Sequence, residues 1–333
     1  MLNTITTAVL IGFFATAVWA PILIQLLYKM NLVVKVILMP DRTNEEFMKI
    51  HGHKFGTPTL GGLMISVTVA ILSLILLTDT NLKLVFVLPF VIYTIFGLAE
   101  GLLTYGRKLS TTLKALDNSF GMRMGKLVVL YIITILPLIL LQDHYGLTSL
   151  TIFGILIPVN ALSIFIGGFF MVVAIYGMEI IDGADGLATG LYLIALTTYL
   201  VISVMTGHTE LLPIIGLLIG SCIVYLYFNI NPARVFMGGT GTFPIAYALI
   251  MFAIITNTVD IFVIMGLAFW AEVTSSALQI LSLKFRKKKL FRIAPIHHYF
   301  EAIGWPETKM VQRFWLAGIC FALLSLWVFS VIK

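Results

Sequence analysis

Apolar runs of about twenty residues recur along the whole chain, and they constrain its fold more than any motif does. Ten are read, near 5–28, 59–78, 83–103, 126–141, 155–178, 187–206, 211–228, 241–257, 259–283 and 312–332. As helices, such runs match the hydrocarbon thickness of a bilayer, where every backbone N–H and C=O must be bonded within its own element. The expectation is an all-α, polytopic membrane protein. Composition agrees, with 60% of 333 residues hydrophobic and 11% charged, against about 25% charged in soluble domains. The first run has no basic segment ahead of it and is too long for a cleavable signal. With no internal repeat and no Pro-rich or Ser-rich linker, one transmembrane domain over residues 1–333 is the simplest reading. Cys222 and Cys320 both fall in apolar runs, which gives neither a disulfide framework nor a cysteine metal site.

The charge of +6 would suggest nucleic acid in a soluble chain, but here it reports topology and no nucleic-acid partner is expected. Lys and Arg are retained on the cytoplasmic side. They cluster after the first run (Lys29, Lys35, Arg42, Lys49, Lys54), after the third (Arg107, Lys108, Lys114, Arg123, Lys126) and after the ninth (Lys284 to Lys289, Arg292, Lys309, Arg313), with Arg234 after the seventh. Only Lys83 and Lys333 remain for the other side. Ten spans then place both termini outside and the five odd-numbered loops in the cytoplasm.

The polar motifs fall in those loops or at their edges. Lys54-Phe-Gly-Thr-Pro-Thr-Leu-Gly-Gly62 opens the second run, Glu100 ends the third, and Asp182-Gly-Ala-Asp-Gly-Leu187 joins the fifth to the sixth. Residues 229–241 join the seventh to the eighth, and Arg292-Ile-Ala-Pro-Ile-His-His-Tyr-Phe-Glu301 precedes the tenth. Side chains far apart in sequence are thereby expected on one face of the bilayer. Asp182 and Asp185, three apart at a helix start, either face one ligand together with backbone N–H groups or cap the helix in water. Lys54, Thr57, Thr59 and the nearby glycines suit a phosphate, although the Gly-Lys-Ser/Thr ending of a P-loop is missing and a threonine helix cap is the plain alternative. Phe236, close to Gly238, suits stacking of a base or simple packing.

His297 and His298 can serve as metal ligands, proton-transfer groups or phosphate donors. No His-Glu-x-x-His pattern occurs, which argues against a zinc protease. If 292–301 is helical, His297 and Glu301 share a face. The basic run 284–289 points to an anionic ligand, or to an anchor among anionic lipid heads. Glu272 lies inside the ninth run, where a carboxylate is costly and normally partnered; the sequence names no partner.

This set of motifs resembles the polyprenyl-phosphate N-acetylhexosamine-1-phosphate transferase superfamily, in its phospho-N-acetylmuramoyl-pentapeptide transferase branch. The likeness is carried by Ala294-Pro-Ile-His-His-Tyr-Phe-Glu301 through Gly304-Trp-Pro-Glu307 to Arg313-Phe-Trp315, with 54–62, 182–188 and 229–237 in the same order. The resemblance implies attack by the phosphate of undecaprenyl phosphate on the β-phosphorus of UDP-N-acetylmuramoyl-pentapeptide, or a related UDP-sugar. The products would be lipid I and UMP, with Mg²⁺ as cofactor, at the cytoplasmic edge of a bacterial inner membrane. It assigns the active site to Asp182, His297 and His298, and Glu100, at the membrane edge, is a further catalytic candidate by position. Substrate binding falls to Lys54, Thr57, Thr59, Asp185, Asn229, Phe236, Gly238 and Glu301, and Asp182 is the candidate metal ligand. A homodimer is compatible with it.

The chain also departs from the family pattern. Glu100-Gly101 followed by Thr104 stand where the family has an Asp-Asp pair and a Lys, and Gly239 stands where it has a magnesium-binding Asp. Tyr176 and Glu179 replace asparagines, and Tyr299 replaces a third histidine. Fewer oxygen ligands weaken Mg²⁺ binding, unless Asp182, Glu179 and Glu100 rebuild the site, and an aspartate at 239 is expected to strengthen it. Two other readings follow. One is an impaired paralogue that binds nucleotide-sugar or polyprenyl phosphate without turnover. The other, less favoured, is a transporter, whose charged groups belong near midplane in repeated halves.

Overall fold

The computed structural model describes residues 1–34, 54–105 and 120–332. The loop cations Lys35, Arg42, Lys49, Arg107, Lys108 and Lys114 lie outside the described residues, as do Lys333 and the side chain of Arg123. The helices are α1 (Leu2–Lys29), α2 (Leu63–Leu76), α3 (Thr80–Tyr105, with a π-helical turn at Lys83–Val87), α4 (Phe120–Tyr145), α5 (Ala161–Ile180) and α6 (Leu187–Met205). They continue with α7 (Leu212–Asn229), α8 (Gly239–Ile255), α9 (Val259–Met265), α10 (Leu267–Arg286), α11 (Ile296–Ala302) and α12 (Glu307–Ile332). Among the described residues, α1, α3 to α7 and α12 are seven helices long and apolar enough to cross a membrane, and α9 with α10 forms an eighth candidate broken by a 71° bend. The shorter apolar helices α2 and α8 have 14 and 17 residues. The chain is an all-α, multi-pass membrane protein.

The core forms around α8, every residue of which is buried. A helix apolar on all sides needs neighbours all round, and α2, α3, α5, α6 and α9 supply them. Tyr247 of α8 donates its hydroxyl to the Val85 carbonyl in the π-helical turn (2.6 Å), which satisfies a buried phenol. On one flank α1 lies almost backbone to backbone on α7. A Cβ on Gly220 would fall 2.1 Å from the Val9 carbonyl oxygen, and one on Gly12 would fall 2.6 Å from that of Leu217. Small residues permit this approach, and the buried Thr16 hydroxyl donates to Ser221 across it (2.9 Å).

Two stretches that read as continuous spans are interrupted. The run 155–178 begins with a strand, Ile155–Pro158, paired antiparallel with Ser149–Ile152 so that Ser149 opposes Pro158. The helix starts only at Ala161, because Asn160 Oδ1 accepts from the Ser163 N–H (3.0 Å) while Ser163 Oγ accepts from the Asn160 N–H (2.8 Å). This reciprocal capping box terminates the helix backwards whatever the hydropathy of Ile155 to Pro158. The hairpin is tied by the Thr151 N–H to Asn257 Oδ1 (2.8 Å), beyond the far end of α8. That lies about 25 Å from Gly239, given a 1.5 Å rise per residue. The run 259–283 breaks at Gly266, where the Trp270 indole donates back to the Val263 carbonyl (2.9 Å). The bend turns α10 toward the segment that carries the histidines.

Candidate active site

Three connections are laced together by their backbones at the Gly239 end of α8. Val34 N–H donates to the Thr57 carbonyl (3.0 Å) and Thr59 N–H to Leu32 (2.9 Å). On the other edge of the same segment, Phe236 N–H donates to Pro58 (2.8 Å), Gly61 N–H to Phe236 (2.8 Å) and Gly62 N–H to Met237 (3.0 Å). Gly62 is needed for closeness, since a Cβ there would fall 2.2 Å from the Gly241 nitrogen. The glycine pair 61–62 therefore packs against 235–241, and α2 starts from Gly62 with no side-chain cap, so neither Thr57 nor Thr59 caps it. Thr59 and Lys54 are left facing the space enclosed.

The turn after α5 reaches into this lattice. Asp182 Oδ2 accepts from the Gly238 N–H (3.1 Å), and Gly238 adopts φ +61°, a conformation that only glycine holds without strain. Burial pushes the Asp182 carboxyl up to about 7. The Gly238 N–H and the Lys54 ammonium pull the other way, and Asp185 adds to the rise.

Asp185 plays a different part. Its Oδ2 accepts from Asn231 Nδ2 (3.0 Å) and the Ala233 N–H (2.9 Å), and its Oδ1 lies 3.3 Å from Lys54 Nζ. Lys54 also reaches Glu307 Oε1 (2.6 Å) and donates to the Gly183 carbonyl (3.1 Å). Burial disfavours the charge on Lys54, but Glu307 and Asp185 more than offset it, so its pKa is raised. Asn229 Oδ1 accepts from the Gly186 N–H (3.0 Å) and its Nδ2 donates to the Val235 carbonyl (3.0 Å). Asp185 and Asn229 thus hold the 182–186 turn to residues 229–238.

The histidines pack on the same turn. A Cβ on Gly183 would fall 2.5 Å from His297 Nε2 and 3.3 Å from His298 Nε2. The two imidazoles lie 4.0 Å apart between centroids. His297 and Glu301 do lie on one helix and are both buried, yet they are not the pair that forms. His298 Nδ1 meets Glu301 Oε2 (2.7 Å), and His297 Nδ1 meets Glu272 Oε2 (2.9 Å). The carboxylate without a partner in the sequence thereby acquires one.

Between these groups lies a cavity of about 290 Å³ lined by Lys54, Thr59, Tyr105, Glu179, Asp182, Phe236, Gly238 and His298, among others. Of the residues singled out in sequence, Asp185, Asn229, His297 and Glu301 are buried behind its wall, and Thr57 contributes its backbone to the lattice. Glu100 lies in the last two turns of α3, 3.3 Å from Lys126 Nζ and within Coulombic range of the cavity residue Glu179. Lys126 and Glu307, seen in the sequence only as a loop cation and as part of a motif, were not expected in the site. Glu307 stood in the quoted Gly-Trp-Pro-Glu stretch, but nothing in spacing links it to Lys54, 253 positions earlier.

The resemblance implies Mg²⁺. Among the described residues no three His, Cys, Asp or Glu side chains form a protein cage for a metal. Mg²⁺ is usually held through one or two carboxylates, with water and substrate phosphates completing its shell. Asp182 and Glu179, the carboxylates on the cavity wall, fit that mode. Burial disfavours the Asp182 charge, and Lys54, the nearby cation, is also engaged by Glu307 and Asp185.

Residues 112–257 match a family model described as Glycosyl transferase family 4. The chain is 30% identical over 320 residues to the phospho-N-acetylmuramoyl-pentapeptide-transferase of Caldicellulosiruptor bescii, covering 96% of this chain and 95% of that protein. It is 30% identical to that of Clostridioides difficile, over 98% of both chains. With Staphylococcus carnosus the identity is 29%, over 96% of this chain and 97% of the relative. Similarity of this extent, end to end along both proteins, places the chain in the phospho-N-acetylmuramoyl-pentapeptide-transferase family.

Proposed function

We propose that the protein transfers phospho-N-acetylmuramoyl-pentapeptide, or a closely related phospho-sugar, from its UDP-linked form to undecaprenyl phosphate. An oxygen of the lipid phosphate forms a bond to the β-phosphorus, the bond from that phosphorus to the bridging oxygen breaks, and UMP leaves with its electron pair. The observation that carries the reading is the convergence of Lys54, Asp182, Phe236 and His298 from four separate connections on one cavity. Such a transfer needs alignment and charge neutralisation more than covalent chemistry.

Lys54 and Thr59 would meet substrate phosphates or sugar, and His298 would hold a phosphate oxygen from its Nε2 side. Phe236 would stack on the uracil, with Gly238 offering close backbone approach. Asp185, Asn229 and Glu301 act from behind the wall by fixing the loops and His298. Asp182 with Glu179 would hold a Mg²⁺, which supplies neutralisation of the diphosphate charge when bound. Ten crossings with both termini outside would place the cavity at the cytoplasmic edge of the inner membrane. There a water-borne nucleotide and a lipid-borne phosphate meet.

The test is UMP release by purified protein in detergent. Release that requires both polyprenyl phosphate and Mg²⁺ supports the reading, and a panel of UDP-sugars identifies the donor. A second reading, binding without turnover, is favoured by Gly239, where the family has an aspartate and where a Cβ would crowd the Phe243 ring at 2.7 Å. Retained nucleotide binding with no UMP above background would select it.

A further inference from the structure

Helix α10 carries four buried polar residues on one side, Glu272, Ser275, Gln279 and Ser282, spaced three, four and three apart, which is one per helical turn. Each holds a point on the chain as it returns to the site. Ser282 donates to the Lys288 carbonyl (2.8 Å). Gln279 Oε1 accepts from the N–H groups of Leu290 (3.0 Å) and Phe291 (2.9 Å), and its Nε2 donates to the Phe291 carbonyl (3.1 Å). Ser275 accepts from the Ile296 N–H (3.1 Å). Glu272, the last, meets the imidazole of His297, and both side chains are fully buried. The stripe fastens residues 288–297 along α10 and ends on a ring nitrogen.

A carboxylate accepting at Nδ1 keeps the proton there and fixes the ring, which decides what the other nitrogen offers. His297 Nε2 is buried with no hydrogen-bond partner. It presses on Gly183, whose neighbours Asp182 and His298 line the cavity. Gly183 itself lines the cavity, so this unpartnered nitrogen lies directly behind the wall, and a buried polar atom is normally hydrogen-bonded.

Resting on the transferase reading above, we propose that Glu272 is a positioning residue. It holds His297 as the Nδ1–H tautomer, so that Nε2 is presented as an acceptor to a proton-bearing oxygen of substrate entering beside Asp182. Glu272 touches no substrate and acts through the imidazole.

The experiment uses the full chain in nanodiscs, with ¹⁵N-labelled imidazoles assigned by loss of signal in His297→Ala. The wild type is expected to show a protonated Nδ1 and an unprotonated Nε2 for His297. Glu272→Leu should lose that pattern, and Glu272→Gln, which keeps an acceptor and nearly the same shape, should retain it. In the UMP assay Glu272→Leu should lower kcat by roughly 10–100-fold with little change in KM. The Glu272→Leu/His297→Ala double variant should be no slower than His297→Ala alone, because the two act as a unit. A wild type that releases no UMP defeats the transferase reading while leaving the tautomer result to stand by itself. Losses that multiply in the double variant, or an Nδ1–H signal that survives Glu272→Leu, overturn the positioning role.

Discussion

Gly97 and Gly239 face each other so closely that a Cβ on Gly97 would lie 2.2 Å from the carbonyl carbon and oxygen of Gly239. Helices α3 and α8 therefore cross backbone to backbone, at the position where the resembled family carries its magnesium-binding aspartate. A Cβ on Gly239 itself would meet the Phe243 ring at 2.7 Å and the Gly97 Cα at 3.2 Å. Packing here has taken the space that a ligand side chain would occupy.

Gly239→Asp is accordingly expected to lower stability, by about 1–3 kcal/mol as for other overpacked interiors, and not to improve Mg²⁺ binding. This reverses the sign that the family pattern alone suggests. Melting in detergent with and without Mg²⁺ measures both effects. A variant stabilised by Mg²⁺ more than the wild type would show that the α3–α8 contact yields to the cation.

Asp182 and Asp185 are expected to separate on mutation. Asp185 has both oxygens engaged within the protein, so Asp185→Asn should lower the melting temperature. Asp182→Asn should keep or raise it while abolishing UMP release. The physical sign follows from proton binding. Burial lifts Asp182 from its ordinary 3.8 to about 7, so the folded form binds the proton more tightly than the unfolded chain does. In EDTA, stability should then fall as pH rises from about 4 to about 7. Asp182→Asn should flatten that slope, and an unchanged slope would place the proton elsewhere.

Lys54→Met is expected to cost about 3–5 kcal/mol, the usual result of stranding a buried carboxylate, here Glu307 and Asp185 together. Adding Glu307→Gln should recover part of the loss. Chemical unfolding of the two variants checks this, and equal stability of Lys54→Met and wild type would mean that the network is slack.

His298 borders the cavity and is only half-buried. Removing its imidazole should slow UMP release by about 10²-fold or more, as for other positioned polar groups, with little change in melting temperature. Melting curves and initial rates on the same preparation decide the matter. Unchanged rates would return His298 to a packing role.

Most of the site could be located in the sequence but not wired. The motif edges predicted one cluster because charged and glycine-rich residues sit where apolar runs end, and Lys54, Asp182, Phe236 and His298 do meet. Which carboxylate faces the cavity was not legible, because Asp182 and Asp185 are the same residue type three positions apart and differ in what distant segments offer them, the Gly238 N–H to one and residues 231–233 with Lys54 to the other. Glu272 was visible as an anomaly. Its spacing with Ser275, Gln279 and Ser282 marks a polar face of a helix, yet the partner lies 25 residues on, across a turn.

Taken alone, the sequence determines the solvent. Its apolar runs are long enough to need hydrocarbon around them, and a continuous run of about twenty apolar residues there satisfies its own polar groups as a helix. Only the tertiary structure decides the bend at Gly266, the hairpin ahead of α5, the closure of Gly97 on Gly239 and the choice of Glu272 for His297. Hydropathy is a property of one element and is written locally. Pairings such as these depend on how near two backbones approach, which becomes defined only when all the helices have packed around α8.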